Sequence, residues 1–272
     1  MARSRTAARR RFLEAWSRRL SRWLRRVGVR RAPRLPLVGW ALLGVATLAL
    51  ANACVQVARK PTELLGLVAP SSTKTPAATW EAYGDLFEAH ATPIVTAELL
   101  AALAQAESAG DPLARTYWRW SWSWNPFEIY APASSAVGLL QITDGTFEEA
   151  RGLCIHGHEV ARDGPWLDPT GCWFNGLYAR WVPGHAIEMT SAYLHVAVLE
   201  TLAGSASAGA SAADRRRLAA LIHLCGRARG ALVARRGLRV LPGERCGDHD
   251  LARYLAEVAA LERTFARVAS ER

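Results

Sequence analysis

Residues 97–110 read AELLAALAQAESAG, a run of alanine and leucine that closes on an acid, a serine, an alanine and a glycine. Alanine and leucine are strong helix formers, so Ala97–Ser108 is predicted as a helix, stopped by Gly110-Asp111-Pro112. Leu99, Leu100 and Leu103 fall on one face, and Glu107 shares their side, four residues after Leu103 and eight after Leu99. An acid held against apolar groups has its charged form disfavoured, and a general acid working near neutral pH needs that property. A glutamate at a helix end is more commonly a solvated surface residue, so position alone assigns no chemistry.

Helical patterns continue on both sides of this run. Ala186–Leu202 repeats apolar residues at Ile187, Leu194, Val198 and Leu202, and a flexible stretch is expected over Gly204–Ala213. Asp214 is expected to cap a helix containing Leu218, Leu221, Ile222 and Cys225, and a last helix is predicted from Asp250 to Val268. Strand signal is sparse: Trp118–Trp124 alternates Trp with Arg or Ser, and Val137–Ile142 is a short apolar run. On a strand, Trp118, Trp120, Trp122 and Trp124 would share one face. Packing as core over the 97–108 helix is the first expectation for them, ahead of stacking on sugar rings or touching a membrane surface. Residues 80–272 are thus expected to form one mainly α domain with a small β element.

The N-terminal side differs in kind. The net charge of +10 is concentrated in residues 1–34, where 13 arginines face one acid, Glu14. The rest of the chain has a net charge of −2, which argues against nucleic-acid binding by the globular part. Residues 35–58 (LPLVGWALLGVATLALANACVQVA) hold only Asn52 and Gln56 as strongly polar side chains and are long enough to cross a bilayer. Arginines abutting an apolar span mark the cytoplasmic side, so 1–34 reads as a cytoplasmic tail facing anionic lipid, 35–58 as a single-pass signal anchor and 59–79 as a linker. A short helical turn is expected around Glu63–Leu67. Cleavage at Ala51-Asn52-Ala53, lipidation at Cys54 and a twin-arginine signal at Arg9–Leu13 are competing readings of the same region.

Four cysteines follow the apolar span: Cys154, Cys172, Cys225 and Cys246. An even number in an exported domain suggests two disulfides. Nearness in sequence favours Cys154–Cys172 and Cys225–Cys246, but spacing leaves all three pairings open. A zinc site from Cys154, His156, His158 and Cys172 is the weaker alternative; no metal or cofactor is expected.

AQAESAG, followed about thirty residues later by GLLQIT at 138–143, resembles the soluble lytic transglycosylase family of the lysozyme superfamily. Glu107-Ser108 matches the family's Glu-Ser helix end, and Gly138-Leu139-Leu140-Gln141 matches its Gly-Leu-Met-Gln turn with Leu for Met. Thr146-Phe147 takes the place of a helix start. Ile187 with Tyr193-Leu194 fits a third motif, in which Ala186 and Thr190 replace Asn and Gly. Ile222-His223-Leu224-Cys225-Gly226 falls where Ala-Tyr-Asn-Ala-Gly is usual, so His223 stands at the place of a tyrosine. The resemblance runs from Thr92 to Arg229 and implies a lysozyme-like α+β fold.

It also implies a function. Enzymes of that family cleave the MurNAc–GlcNAc bond of peptidoglycan without water, forming a 1,6-anhydro product. Glu107 would then be the single acid and base, with Ser108, Gly138, Leu139, Leu140, Gln141, Tyr193 and His223 binding the glycan. The expected location is the inner membrane, with the catalytic domain in the periplasm and a cell-envelope secretion or conjugation complex as a further partner. If Glu128, Asp144 or Glu148 faced Glu107, the enzyme would instead be a hydrolytic muramidase. The altered 222–226 motif leaves a third reading, a catalytically silent glycan-binding module that scaffolds such a machine.

Overall fold

The fold is described from a computed structural model covering residues 36–60, 62–69, 72–165, 167–168, 170–203, 205 and 207–272. The arginine-rich tail, with its expected lipid contacts and twin-arginine signal, lies outside the described residues. The chain divides into a unit ending at Ala53 and a second, Cys54–Arg272.

Helix α1, Leu37–Arg59, carries the apolar span. Its 23 residues extend about 35 Å at 1.5 Å per residue, enough to cross a membrane. Within the second unit, α2 (Thr62–Val68) follows directly, and Lys60, Thr62 and Glu63 are buried rather than solvated. Helix α3 (Pro76–Ala89) begins with Pro at its first position and the Thr75 hydroxyl accepting from the Ala78 N–H. Helix α4 is Ala97–Ser108, the predicted span, capped by Thr96 and ended by Ala109 in the left-handed conformation.

Three two-stranded antiparallel hairpins supply the β structure of the described residues: β1 (Trp118–Trp120) with β2 (Tyr130–Pro132), β3 (Leu153–His156) with β4 (Glu159–Arg162), and β5 (Arg245–Cys246) with β6 (His249–Asp250). Val137 and Ile142 form only an isolated bridge. Helix α5 (Asp144–Ala150) precedes β3, and α6 (Pro183–Ala203) follows β4. Helix α7 (Ala212–Arg235) starts at Ser211 rather than Asp214. Ser211 Oγ accepts from the Asp214 N–H, and the Asp214 carboxylate accepts from the Ser211 hydroxyl, so Asp214 is the third residue of the helix and not its cap. Gly226, at φ 76°, breaks α7 into two helices with open space around it, a backbone conformation that only glycine adopts without strain.

Helix α8, Leu251–Ser270, shows the cleanest amphipathic pattern, with Leu251, Tyr254, Leu255, Val258 and Phe265 buried and Asp250 as cap. It packs along α4, the most extensive helix pair of the domain, while α7 packs on α6. Leu99, Leu100, Leu103, Ile187, Leu194 and Phe265 are fully enclosed in this mainly helical core.

The tryptophans of the 118–124 segment are not core. Only Trp118–Trp120 is strand; Trp118 is half-buried against Tyr130, whereas Trp120, Trp122 and Trp124 are exposed. The chain turns into a bend and a one-turn 3-10 helix (Pro126–Glu128) after Trp120, so the alternation never acquires a second face to pack against.

Candidate active site

Glu107 emerges at the last turn of α4, one turn beyond the enclosed Leu103, with a side chain 19 % exposed. Two side chains from distant elements converge on it. The Tyr254 hydroxyl of α8 donates to Oε1 at 2.7 Å, and His223 Nε2 of α7 stands 3.8 Å from the same oxygen. Burial first, and then the Glu107 charge, raise the Tyr254 hydroxyl far above the ordinary phenol range, so it is a permanent donor. Burial lowers the pKa of His223 against the opposing pull of Glu107 and of a hydrogen bond to the Leu140 backbone. His223 is therefore neutral near pH 7, and its contact with Glu107 is not an ion pair.

The turn at 138–141 is drawn onto the end of α4 from the other side. Gly138 adopts φ +79°, and a Cβ there would lie 2.4 Å from the Arg180 carbonyl, so no other residue fits without backbone movement. Ser108 Oγ lies 2.7 Å from the Leu139 carbonyl and 2.9 Å from that of Ala104. Its one hydrogen is thus committed within the protein, and only its lone pairs could meet a ligand. Gln141 Nε2 donates to Gly138 O (2.8 Å) and Ala114 O (3.3 Å), which leaves its Oε1 as the group to offer.

Several expected glycan contacts have other surroundings. The Leu139 and Leu140 side chains are fully enclosed in the core, and the turn contributes their backbone to Ser108 and His223 instead. Tyr193 is buried on α6 with the Arg227 guanidinium 5.5 Å from its ring. The acids weighed as a second carboxylate have their own partners: Glu128 with Ser123 and Asn125, Asp144 with Arg180, Glu148 with Arg151. Glu188, buried on α6, binds the Ile155 N–H and the Tyr178 hydroxyl.

Two neighbours of Glu107, Ser108 and Tyr254, each line a cavity. One of about 520 Å³ is lined by Ser108, Asp111, Arg115, Tyr117 and Trp118; another of about 370 Å³ is lined by Arg245, His249, Arg253 and Tyr254. The disulfides Cys154–Cys172 and Cys225–Cys246 form, with Cα separations of 5.3 and 5.5 Å. The second ties α7, beside the Gly226 break, to the hairpin that leads into α8, and so joins the elements bearing His223 and Tyr254.

Tyr254 is the residue that sequence reasoning missed. It sits on a regular apolar stripe and reads as core, although a buried phenol needs a hydrogen-bond partner and so signals a polar group inside. Comparison with protein-family models and with curated proteins finds no match for this sequence.

Proposed function

We propose that the chain is a membrane-anchored lytic transglycosylase that cleaves the MurNAc–GlcNAc bond of peptidoglycan on the periplasmic side of the inner membrane. The observation that carries this reading is the Glu107 carboxylate at the end of α4, held by Tyr254 and backed by the 138–141 turn. Donation from Tyr254 engages Oε1, so the proton that moves belongs to Oε2. Protonated Glu107 gives that proton to the glycosidic oxygen as the C1–O bond breaks. The sugar's own C6 hydroxyl then closes onto C1, and the Glu107 carboxylate takes up the hydroxyl proton, leaving a 1,6-anhydro end. Because the nucleophile is tethered to the substrate, its effective concentration is high and one carboxylate suffices. The partners held by Glu128, Asp144 and Glu148 support a single-acid site over a two-acid hydrolase. Two disulfides and an apolar helix long enough to span a membrane fit an exported, anchored domain. Mass analysis of fragments released from purified sacculi tests the proposal. Anhydro ends are expected; reducing ends would make it a muramidase, and no release would make it a silent glycan-binding module.

A further inference from the structure

We infer that the β1–β2 hairpin is a second membrane contact, its tip tryptophans lying in the lipid headgroup interface beside the end of α1. This inference rests on reading α1 as a retained membrane anchor.

The apolar run ends at Ala58, so the last turn of α1 marks the level at which the chain leaves the hydrocarbon. Gln56, in that turn, donates to the Phe127 carbonyl at 2.6 Å, and Phe127 belongs to the hairpin tip. The next residues fasten the hairpin's base as well. Lys60 Nζ donates to the Ser134 carbonyl (3.0 Å) and Thr116 Oγ1 (3.2 Å), and Glu63 accepts from Trp118 Nε1 (3.0 Å). Lys60 and Glu63 are buried, so these are enclosed contacts and not surface ones. Tip and base are therefore both fixed to the point where the anchor ends.

The same hairpin presents Trp122 and Trp124, 107 % and 105 % exposed, with Trp120 at 75 %. Soluble proteins rarely expose large apolar patches, and those they do expose mark protein, membrane or ligand contacts. Indoles are enriched at membrane–water boundaries, where the ring is apolar and the N–H stays wet. Sugar stacking is the competing use, but the indole that lines the cavity beside Ser108 is Trp118, at the base, while Trp122 and Trp124 project from the tip. Docking of the tip would hold the Glu107 site at a fixed height and orientation over the bilayer.

The test uses the full chain with Cys54→Ser, in vesicles of phosphatidylcholine and phosphatidylglycerol, carrying one nitroxide at Trp122→Cys, Leu48→Cys or the exposed Ser270→Cys. Because Trp122 makes no buried contact, labelling it leaves the fold intact, which intact disulfides and an unchanged melting temperature verify. The expected result is an oxygen-to-nickel-complex accessibility ratio at 122 several-fold above that at 270. A ratio at 122 equal to that at 270, with Leu48→Cys reporting hydrocarbon, overturns the inference and leaves the anchor standing. An aqueous ratio at Leu48→Cys overturns the anchor and the inference with it. An aqueous ratio at 122 with label mobility changed by GlcNAc oligomers assigns the indoles to glycan and also overturns it.

Discussion

The Tyr254 hydroxyl hydrogen-bonds Glu107 Oε1 at 2.7 Å across 147 residues of sequence, joining the C-terminal helix to the end of the alanine-rich one. A hydrogen bond to a charged group contributes about 1.5–3 kcal/mol, so Tyr254→Phe is expected to lower kcat on sacculi by about 10- to 150-fold. KM should change little, because the lost donor acts on the acid and not on the glycan. An unchanged kcat in a correctly folded Tyr254→Phe variant would remove Tyr254 from the mechanism.

Glu107→Gln tests the chemistry directly. Gln keeps the shape and can still accept from Tyr254, but it has no acidic proton to give and no carboxylate to take one back. General acid–base contributions are about 10²–10⁴-fold, and in the proposed mechanism one residue performs both halves, so the loss should reach or exceed that range. Sacculus binding should persist, and Glu128→Gln, whose partners are Ser123 and Asn125, should be mild. Near-normal release of anhydro fragments by Glu107→Gln would show that another acid does the work.

Helix positions were legible in the sequence where local rules act alone. Alanine and leucine with a glycine stop fixed the span 97–108, and apolar periodicity located α6 and α8. The start of α7 was misplaced because Ser211 and Asp214 form a reciprocal cap, in which either residue alone looks like the signal. The 59–79 segment reads as linker by composition, yet Lys60 and Glu63 are buried by partners more than fifty residues away. Tyr254 escaped for the same reason: its meaning depends on what a distant helix places opposite it. Trp118–Trp124 failed in the other direction, since alternation predicts a face but not whether anything covers it.

Gly138→Ala should be far more damaging than its size suggests. The added Cβ would meet the Arg180 backbone oxygen at 2.4 Å, and φ +79° is itself costly for alanine. Such strain is of order 1–3 kcal/mol, and relief requires the turn to move, taking the Leu139 carbonyl away from Ser108. Both melting temperature and glycan cleavage should fall. A Gly138→Ala protein with normal stability and activity would mean that the turn is not tied to α4 as described.

Stability should decline on mild acidification. Burial lowers the pKa values of His90, His195 and His223, so the unfolded chain takes up these protons first as pH falls. Stability is complete above the unfolded value of about 6.5 and is lost as pH drops from there toward the folded values. Urea midpoints measured at pH 7.5 and 5 should therefore differ, and His223→Asn should reduce the difference. An equal difference in the variant would mean that His223 does not resist protonation in the fold.

Cys225–Cys246 should matter to activity as well as to stability. It closes a separation of 21 residues, for which loop closure predicts about 3 kcal/mol of stabilisation. The loop it closes, residues 225–246, contains the Gly226 break and ends in β5, the first strand of the hairpin that leads to the Asp250 cap of α8. Releasing it lets α8 shift against α7, which loosens Tyr254 and His223 from Glu107 together. Cys154–Cys172 instead fastens the β3–β4 hairpin to the 3-10 segment at Trp173–Leu177, elements that supply neither of those groups. Cys246→Ser paired with Cys225→Ser should thus lower kcat more than Cys154→Ser paired with Cys172→Ser, compared at a temperature where both proteins remain folded. Thiol labelling of the unreduced, denatured wild type should find Cys54 alone, and all five cysteines after reduction. Equal kcat losses in the two double variants would mean that the Cys225–Cys246 bridge stabilises the fold without positioning the site.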